Sequence, residues 1–191
     1  MATSLAERLR PRLIRPGDAT GLEVHGRTDA GVLVPLFCDA DGDIHAVFTR
    51  RREDLRRHAG EISFPGGKAD PKDHDLLATA LREAQEEIGL NPHEVELVGA
   101  LQPTPTFVTS YAIYPFVGVI ASGREWTLSP REVAEVLELR MRDVRDGYER
   151  RRLIRRGLPI RTDTYVVDRQ VIWGATARIV GDLLDRLEPL L

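Results

Sequence analysis

The segment 60–90, GEISFPGGKADPKDHDLLATALREAQEEIGL, joins a pair of glycines to a short amphipathic helix, and it constrains the fold more than any other part of the chain. Each residue of an ideal helix turns by about 100°. With Glu83 as the origin, Glu86 lies at about −60° and Glu87 at about +40°, so the three carboxylates share one face. The adjacent face is apolar and consists of Leu77, Ala80, Leu81, Ala84 and Ile88. The segment therefore predicts a helix with one side on a core and a neighbouring side that is acidic.

Clustered carboxylates favour a metal ion at this helix. Like charges three or four residues apart cost a helix about 0.2–0.5 kcal/mol per pair, and a hard divalent cation with oxygen ligands is the obvious compensation. On its own, REAQEE is equally typical of a solvent-exposed helix surface. Gly66 and Gly67 favour the metal site, because the pattern predicts a strand-to-loop turn there, whose backbone can approach an ion or a phosphate.

Glycine pair, spacer and acidic helix together resemble the Nudix box, G-x5-E-x7-R-E-U-x-E-E-x-G-U with U aliphatic, here over 66–90. The second half of the pattern matches at 82–90. The first half departs from it. Counting forward from Gly67 places Asp73 in the acidic position with one residue too many before REAQEE, whereas counting back from REAQEE places His74 there. We interpret the box as one residue longer, with Asp73 in place of the glutamate.

The preceding run, Val47–Gly67, resembles the signature of the coenzyme A diphosphatase branch of the Nudix family. Eight positions match in register: Thr49, Arg51, Arg56, Gly60, Phe64, Pro65, Gly66 and Gly67. Arg52 departs where Ser or Ala is expected, and Lys68 departs where an aromatic residue is expected. Three later segments also look similar, at 115–118, 132–136 and 172–177, so the resemblance extends from about Gly31 to Leu184.

The resemblance implies an α/β (α+β) Nudix fold, with a mixed β-sheet sandwiched between helices. It implies one domain over 1–191, which begins with a helix and linker up to about residue 30. The implied reaction is metal-dependent hydrolysis of the diphosphate bond of coenzyme A or acyl-CoA, giving 3′,5′-ADP and (acyl-)4′-phosphopantetheine. Two alternatives stay open: a Nudix hydrolase for ADP-ribose, a nucleotide sugar or a dinucleotide, and a catalytically silent Nudix-like binding domain.

The acidic residues receive their expected roles from this chemistry, because metal ions neutralise a diphosphate and lower the pKa of bound water. Mg²⁺ or Mn²⁺ is the expected metal, and either fits. The expected ligands are Glu83, Glu86 and Glu87, with Glu83 alternatively the base that acts on water. Arg82 is expected to orient the carboxylates, with Asp73 as a candidate partner.

Further candidates lie outside the helix. Glu132 and Glu135 are possible additional catalytic acids, but residues three apart on a strand face opposite sides, so only a bend or bulge lets both point inward. Gly66 and Gly67 are expected to line the substrate site. The 3′-phosphate of coenzyme A requires cationic donors, and Arg51 and Arg56 are the matched candidates.

Arginine is clustered twice, at 50–57 and again at 150–156. The planar guanidinium donates two hydrogen bonds at once and suits phosphate. The first cluster adjoins the glycine pair and is therefore expected to contact phosphate. Only Lys68 and Lys72 are lysines, so a general preference for arginine explains the second cluster, which we expect in a solvated helix or loop.

Composition bounds the remaining possibilities. A chain of 191 residues with 42% hydrophobic content suits one domain with a full core. A single cysteine, Cys38, excludes an internal disulfide and fits a reducing compartment, so we expect a cytoplasmic protein. The longest apolar stretch, Ala112–Ala121, is too short for a bilayer. The net charge of −3 argues against a nucleic-acid partner, which leaves a small-molecule substrate. Monomer and homodimer both stay open.

Periodicity and turn signals predict alternating elements and a mixed sheet with helices on both faces. The expected helices are Ser4–Leu13, the box helix, part of Arg142–Arg156, and Ala175–Leu187. The expected strands are Gly31–Cys38, Ile44–Thr49, Val95–Leu101, Ala112–Ile120, Glu132–Leu139, Thr164–Val167 and Gln170–Trp173.

Overall fold

The run AGVLVPLFC at residues 30–38 is apolar without alternation, which is typical of a strand that is buried on both faces. It forms most of β1 (Thr28–Cys38) in the computed structural model, which describes residues 3–54, 60–106, 110–155 and 158–191. Alternate side chains of β1 enter two separate apolar cores. Leu33 and Phe37 face one core, and Val34 and Leu36 face the other.

Helices and short strands surround β1. The helices are α1 (Leu5–Leu9), α2 (Pro16–Thr20), α3 (Leu76–Ile88), α4 (Met141–Asp146) and α5 (Gly174–Leu187). The other strands are β2 (Ile44–Arg51), β3 (Ile62–Ser63), β4 (Gly66–Lys68), β5 (Glu96–Ala100), β6 (Thr104–Pro105), β7 (Tyr111–Val119), β8 (Val133–Arg140), β9 (Tyr148–Arg155), β10 (Leu158–Val167) and β11 (Gln170–Trp173).

Eight of the strands form one mixed sheet, in which β1 pairs parallel with β7 and antiparallel with β2 and β4. Both β3 and β8 pair with β2, and both β5 and β6 pair with β7. The remaining strands form an antiparallel sheet in the order β11-β10-β9. The core under α3 covers one face of the large sheet, and α1, α4 and α5 contribute to the core on the other. The predicted mixed sheet between helices is confirmed.

The box helix α3 is fixed at both ends and pressed closely on β1. Asp75 caps its N-terminus by accepting a 2.7 Å hydrogen bond from the Ala78 N–H, and Gly89 ends it with φ +70°. A Cβ on Gly31 of β1 would lie only 2.2 Å from the Leu76 carbonyl oxygen. Because glycine allows this approach, the first turn of the helix rests directly on the sheet.

Three expectations about the elements are wrong in part. The predicted first helix ends at Leu9 and continues as a 3-10 turn. The glycine pair lies within β4 and not in a turn, because its backbone pairs with β1. The second arginine cluster, expected in a solvated helix or loop, instead lies on β9, which contains Arg150, Arg151, Arg152 and Arg155 and pairs with β10. The partial helix predicted within 142–156 is confirmed as α4, and Arg156 lies outside the described residues. No helix in the described part of the chain combines the length and the apolar character needed to cross a membrane.

Candidate active site

Glu87 is the buried carboxylate at the centre of the site, with 4% of its surface exposed. Burial, followed by repulsion from Glu83 and Glu132, raises its pKa to about 8, against the lowering effect of Arg51. Two groups from the sheet approach it. The Gly66 N–H donates to Glu87 Oε2 at 3.3 Å, and Arg51 Nη1 lies 3.8 Å from Oε1. Both contacts are long, so the N–H and the guanidinium compensate the negative charge of an ionised Glu87 only weakly.

Gly67 provides the space in which the second carboxylate lies. A Cβ at this position would be 2.4 Å from Cδ of Glu83, closer than any such contact tolerates. The absence of a side chain therefore lets a helix carboxylate rest against the backbone of β4. Burial also raises the pKa of Glu83, while its hydrogen bond with Arg82 lowers it.

Arg82 joins the spacer to the acidic face. Its Nε and Nη2 donate to the two oxygens of Asp73 at 2.9 and 3.0 Å, so the predicted bidentate pair is present. Its Nη1 lies 2.9 Å from Glu83 Oε1 and 3.1 Å from Glu86 Oε2. The Arg82 hydrogen bonds hold the pKa of Asp73 well below its usual range. Asp73 thus orients Arg82, and Arg82 in turn holds Glu83 and Glu86 side by side.

Glu132 and Glu135 lie on different sides of the sheet. Glu132 Oε2 is 4.0 Å from Arg51 Nη2, and its charge raises the pKa of both Glu83 and Glu87. Glu135 instead pairs with Arg50 at 2.7 Å. Arg50 and Arg51 are consecutive on β2 and point to opposite faces. A register shift between β2 and β8 at this point does not bring Glu135 back to the site.

Of the remaining candidate residues that the structure describes, only Arg51 is seen beside the acidic face of the helix. Arg51 adjoins the carboxylates, and its buried Nε has no hydrogen-bond partner among the described residues. Arg56 lies outside the described residues. Arg52 turns away and pairs with Asp54 at 2.8 Å. The side chain of His74 is 83% exposed, which agrees with a surface position and not the acidic position of the box.

Sequence reasoning missed Thr79, a fully buried polar residue on α3. Its hydroxyl donates to Asp73 Oδ2 at 2.8 Å, on the oxygen that also accepts from Arg82. The signal was a threonine in the first turns of an otherwise apolar helix face, where a hydroxyl needs a partner.

The donor set suits a hard divalent cation, because every candidate group is a carboxylate oxygen and the most buried one, on Glu87, is only weakly compensated by Arg51 and the Gly66 N–H. Within the described parts of the chain, no three acidic, imidazole or thiol groups already form a ligand cage. Glu83 and Glu86 are instead engaged by Arg82. Glu83, Glu86 and Glu87 remain the predicted ligands, and each of the first two has a second carboxylate oxygen besides the one that lies on Arg82.

Comparison with known proteins identifies the family. The NUDIX domain matches residues 27–156. The chain is 38% identical over 176 residues to an uncharacterized Nudix hydrolase, NudL, of Citrobacter koseri, covering 91% of this chain and 89% of that protein. It is 36% identical over 161 residues to the NudL of Photorhabdus laumondii, covering 83% and 84%.

Solved structures show the same fold at low sequence identity. A MutT/nudix family protein from Enterococcus faecalis has a TM-score of 0.59 at 13% identity, covering 99% of this chain and 76% of that one. An Ap4A hydrolase of C. elegans has a TM-score of 0.51 at 18% identity, covering 60% and 81%. Nudix enzymes generally use divalent metal ions. The chain belongs to the Nudix family and is a hydrolase of diphosphate bonds in nucleoside diphosphate derivatives.

Proposed function

We propose that this protein hydrolyses the diphosphate bond of coenzyme A or acyl-CoA, giving 3′,5′-ADP and (acyl-)4′-phosphopantetheine. The observation that carries the proposal is the position of the coenzyme A-type run, Val47–Gly67. Its two ends border the buried carboxylate of the box, since Arg51 approaches one oxygen of Glu87 and the Gly66 N–H approaches the other. The two halves of the sequence resemblance therefore meet in one site.

Residues of the run hold each other in place behind this contact. The Arg51 N–H donates to the Glu61 carbonyl at 3.0 Å, and the Arg51 carbonyl accepts from the Gly60 N–H at 3.2 Å. Nearby, the Thr49 hydroxyl donates to the Ser63 carbonyl at 3.3 Å. The matched positions thus fix the backbone of Arg51, while its side chain stays directed at the acidic helix.

The residues divide the expected chemistry between them. A divalent metal bound by Glu83, Glu86 and Glu87 supplies charge neutralisation and an acidified water. Arg51, whose buried Nε has no described partner, donates to a diphosphate oxygen, where its guanidinium stabilises developing charge. Glu83 or Glu132 accepts the proton of the attacking water. Arg82 and Asp73 keep the glutamates in position throughout.

A substrate panel tests the proposal directly. Coenzyme A, acetyl-CoA, ADP-ribose, NADH and a diadenosine polyphosphate are incubated with the protein and Mg²⁺ or Mn²⁺, and products are identified by mass. We expect the highest kcat/KM for a coenzyme A compound, with 3′,5′-ADP as one product. Faster turnover of ADP-ribose or NADH than of any coenzyme A compound would refute the proposal and favour the alternative diphosphatase.

A further inference from the structure

A cavity with a basic lining lies away from the predicted catalytic carboxylates, where β9 and β10 run past the first turn of α5. Arg150, Arg161 and Arg178 line a cavity of about 120 Å³ there, together with Asp163. Gly174 and Ala177 also line it, and both belong to the segment 172–177. The cavity therefore brings the second arginine cluster next to the segment 172–177, which takes no part in the candidate active site.

Strand pairing explains why arginines converge here. Arg150 lies opposite Asp163 in the β9–β10 register, and Arg152 lies opposite Arg161. Directly paired residues of antiparallel strands project from the same face, and so do residues two apart on one strand. Further along this face, Tyr165 is buried, with its hydroxyl near Gly181 of α5. This face of β9 and β10 is therefore covered by α5 at Tyr165, and it is basic near the N-terminus of α5.

The lining of the cavity brings three guanidinium groups and one carboxylate together. Asp163 Oδ1 lies 3.9 Å from Arg150 Nε and also accepts a 2.9 Å hydrogen bond from the Tyr148 hydroxyl. Arg178 donates to the Pro105 carbonyl, which fixes its guanidinium beside the cavity. Arg161 has no ion-pair partner among the described residues. Arg150, Arg161 and Arg178 therefore surround a space large enough for a tetrahedral anion, and the described ion pairs leave Arg161 available to it.

We propose that this cavity binds a phosphate monoester through Arg150, Arg161 and Arg178. Guanidinium groups suit such a dianion, because each can donate two hydrogen bonds to its oxygens. The phosphate comes either from the substrate itself or from a separate phosphorylated metabolite. The first source is consistent with the fold, because β11 packs beside β3, the strand that leads to Gly66. The inference does not rest on the proposed function, since binding is measurable without turnover.

Binding of adenosine 3′,5′-bisphosphate, adenosine 5′-phosphate and inorganic phosphate is measured by calorimetry on the full chain in EDTA. Loss of one charge-assisted contact weakens binding by about 10-fold or more, so Arg161→Ala should show that loss. Arg151→Ala is the matched control, because Arg151 lies on the opposite face of β9 and pairs with Glu149. Asp163→Asn should strengthen binding, since it removes the competing carboxylate.

The three probes separate the two sources of phosphate. If Arg161→Ala weakens the bisphosphate but not the 5′-phosphate, the cavity binds a 3′-phosphate of the substrate, and KM for coenzyme A should rise while KM for its 3′-dephospho form does not. If the variant loses only inorganic phosphate, the cavity binds a separate anion. Unchanged binding of all three probes by Arg161→Ala with a wild-type melting curve would overturn the inference. Equal weakening by Arg151→Ala or by Asp163→Asn would also overturn it.

Discussion

The Gly66 backbone N–H donates a 3.3 Å hydrogen bond to Glu87 Oε2, which links strand β4 to helix α3 inside the protein. A backbone amide cannot rotate away as a side chain can. The buried oxygen is therefore held at a fixed position relative to the sheet, while the other oxygen faces Arg51. Substitutions around this contact should separate effects on chemistry from effects on folding.

Glu87→Gln should lower kcat by more than about 100-fold, because the amide keeps the shape of the side chain but loses the ligand charge. The variant should fold, since a pKa of about 8 leaves the metal-free Glu87 side chain largely neutral at neutral pH, and the amide is neutral as well. Activity at saturating Mg²⁺ and Mn²⁺, with thermal melting in EDTA, gives the two readings. A near wild-type rate would show that Glu87 is not a ligand.

Glu132→Gln should reduce activity, whereas Glu135→Gln should leave kcat within about two-fold of wild type, because an exposed ion pair contributes little. The two residues are chemically matched and differ in which face of the sheet they occupy. The pH dependence of kcat/KM then tests whether Glu132 acts as base, since the loss of a base removes the acidic limb. Equal losses in both variants would contradict this assignment.

Gly67→Ala should impair catalysis strongly because its Cβ would lie 2.4 Å from Glu83 Cδ and displace that carboxylate. Gly17→Ala is a matched control, since no atom lies within 4 Å of a Cβ there and the residue is helical. We expect lowered kcat with raised metal requirement in the first variant and unchanged kinetics in the second. Titration of activity with Mg²⁺ measures both.

Asp73→Asn should lower stability by about 1–3 kcal/mol, the usual worth of hydrogen bonds to a charged group. Its folded pKa lies below the unfolded value, so the carboxylate stabilises the protein above a pH of about 4 and this stabilisation is lost as the pH falls further. Denaturant unfolding of both proteins at several pH values should therefore show the wild-type advantage shrinking on acidification. A constant difference across that range would argue against the ion pair as its source.

Arg51→Ala should weaken turnover of coenzyme A and of 3′-dephospho-coenzyme A alike, because Arg51 lies beside the box carboxylates and thus near the bond to be broken. This differs from the expectation from sequence that Arg51 contacts the 3′-phosphate. Comparing kcat/KM for the two substrates measures the difference. A defect that disappears with the dephospho compound would return Arg51 to the 3′-phosphate.

The sequence predicted the elements with strong local signals. The β1–β2 hairpin, the box helix and α5 follow from apolar periodicity and turn residues. The Arg82–Asp73 pair was suggested by the resemblance of residues 66–90 to the Nudix box. The strand β9 was missed because its run, YERRRLIR, has no clear alternation of apolar residues. It is a strand because β10 pairs with it, which is a tertiary fact.

The candidate acids beyond the box, Glu132 and Glu135, show the same limit. Strand periodicity indicated that Glu132 and Glu135 face opposite sides, but not which of them faces the site. That choice depends on the register between β8 and β2, where Arg50 and Arg51 take one glutamate each. Pairing register between distant strands is weakly encoded in either strand alone.

The parallel pairing of β1 with β7 has a consequence for how activity is acquired during folding. Thr28 aligns with Tyr111, so the whole Nudix box lies within the chain segment that this pairing closes. Closing a long segment costs entropy before its contacts form, and folds dominated by such pairings assemble slowly. The box helix docks on Gly31 of β1. Its glutamates therefore reach β4 only after the central strands have assembled. A partly folded chain with a working site is therefore not expected, and recovery of activity should follow global refolding in time.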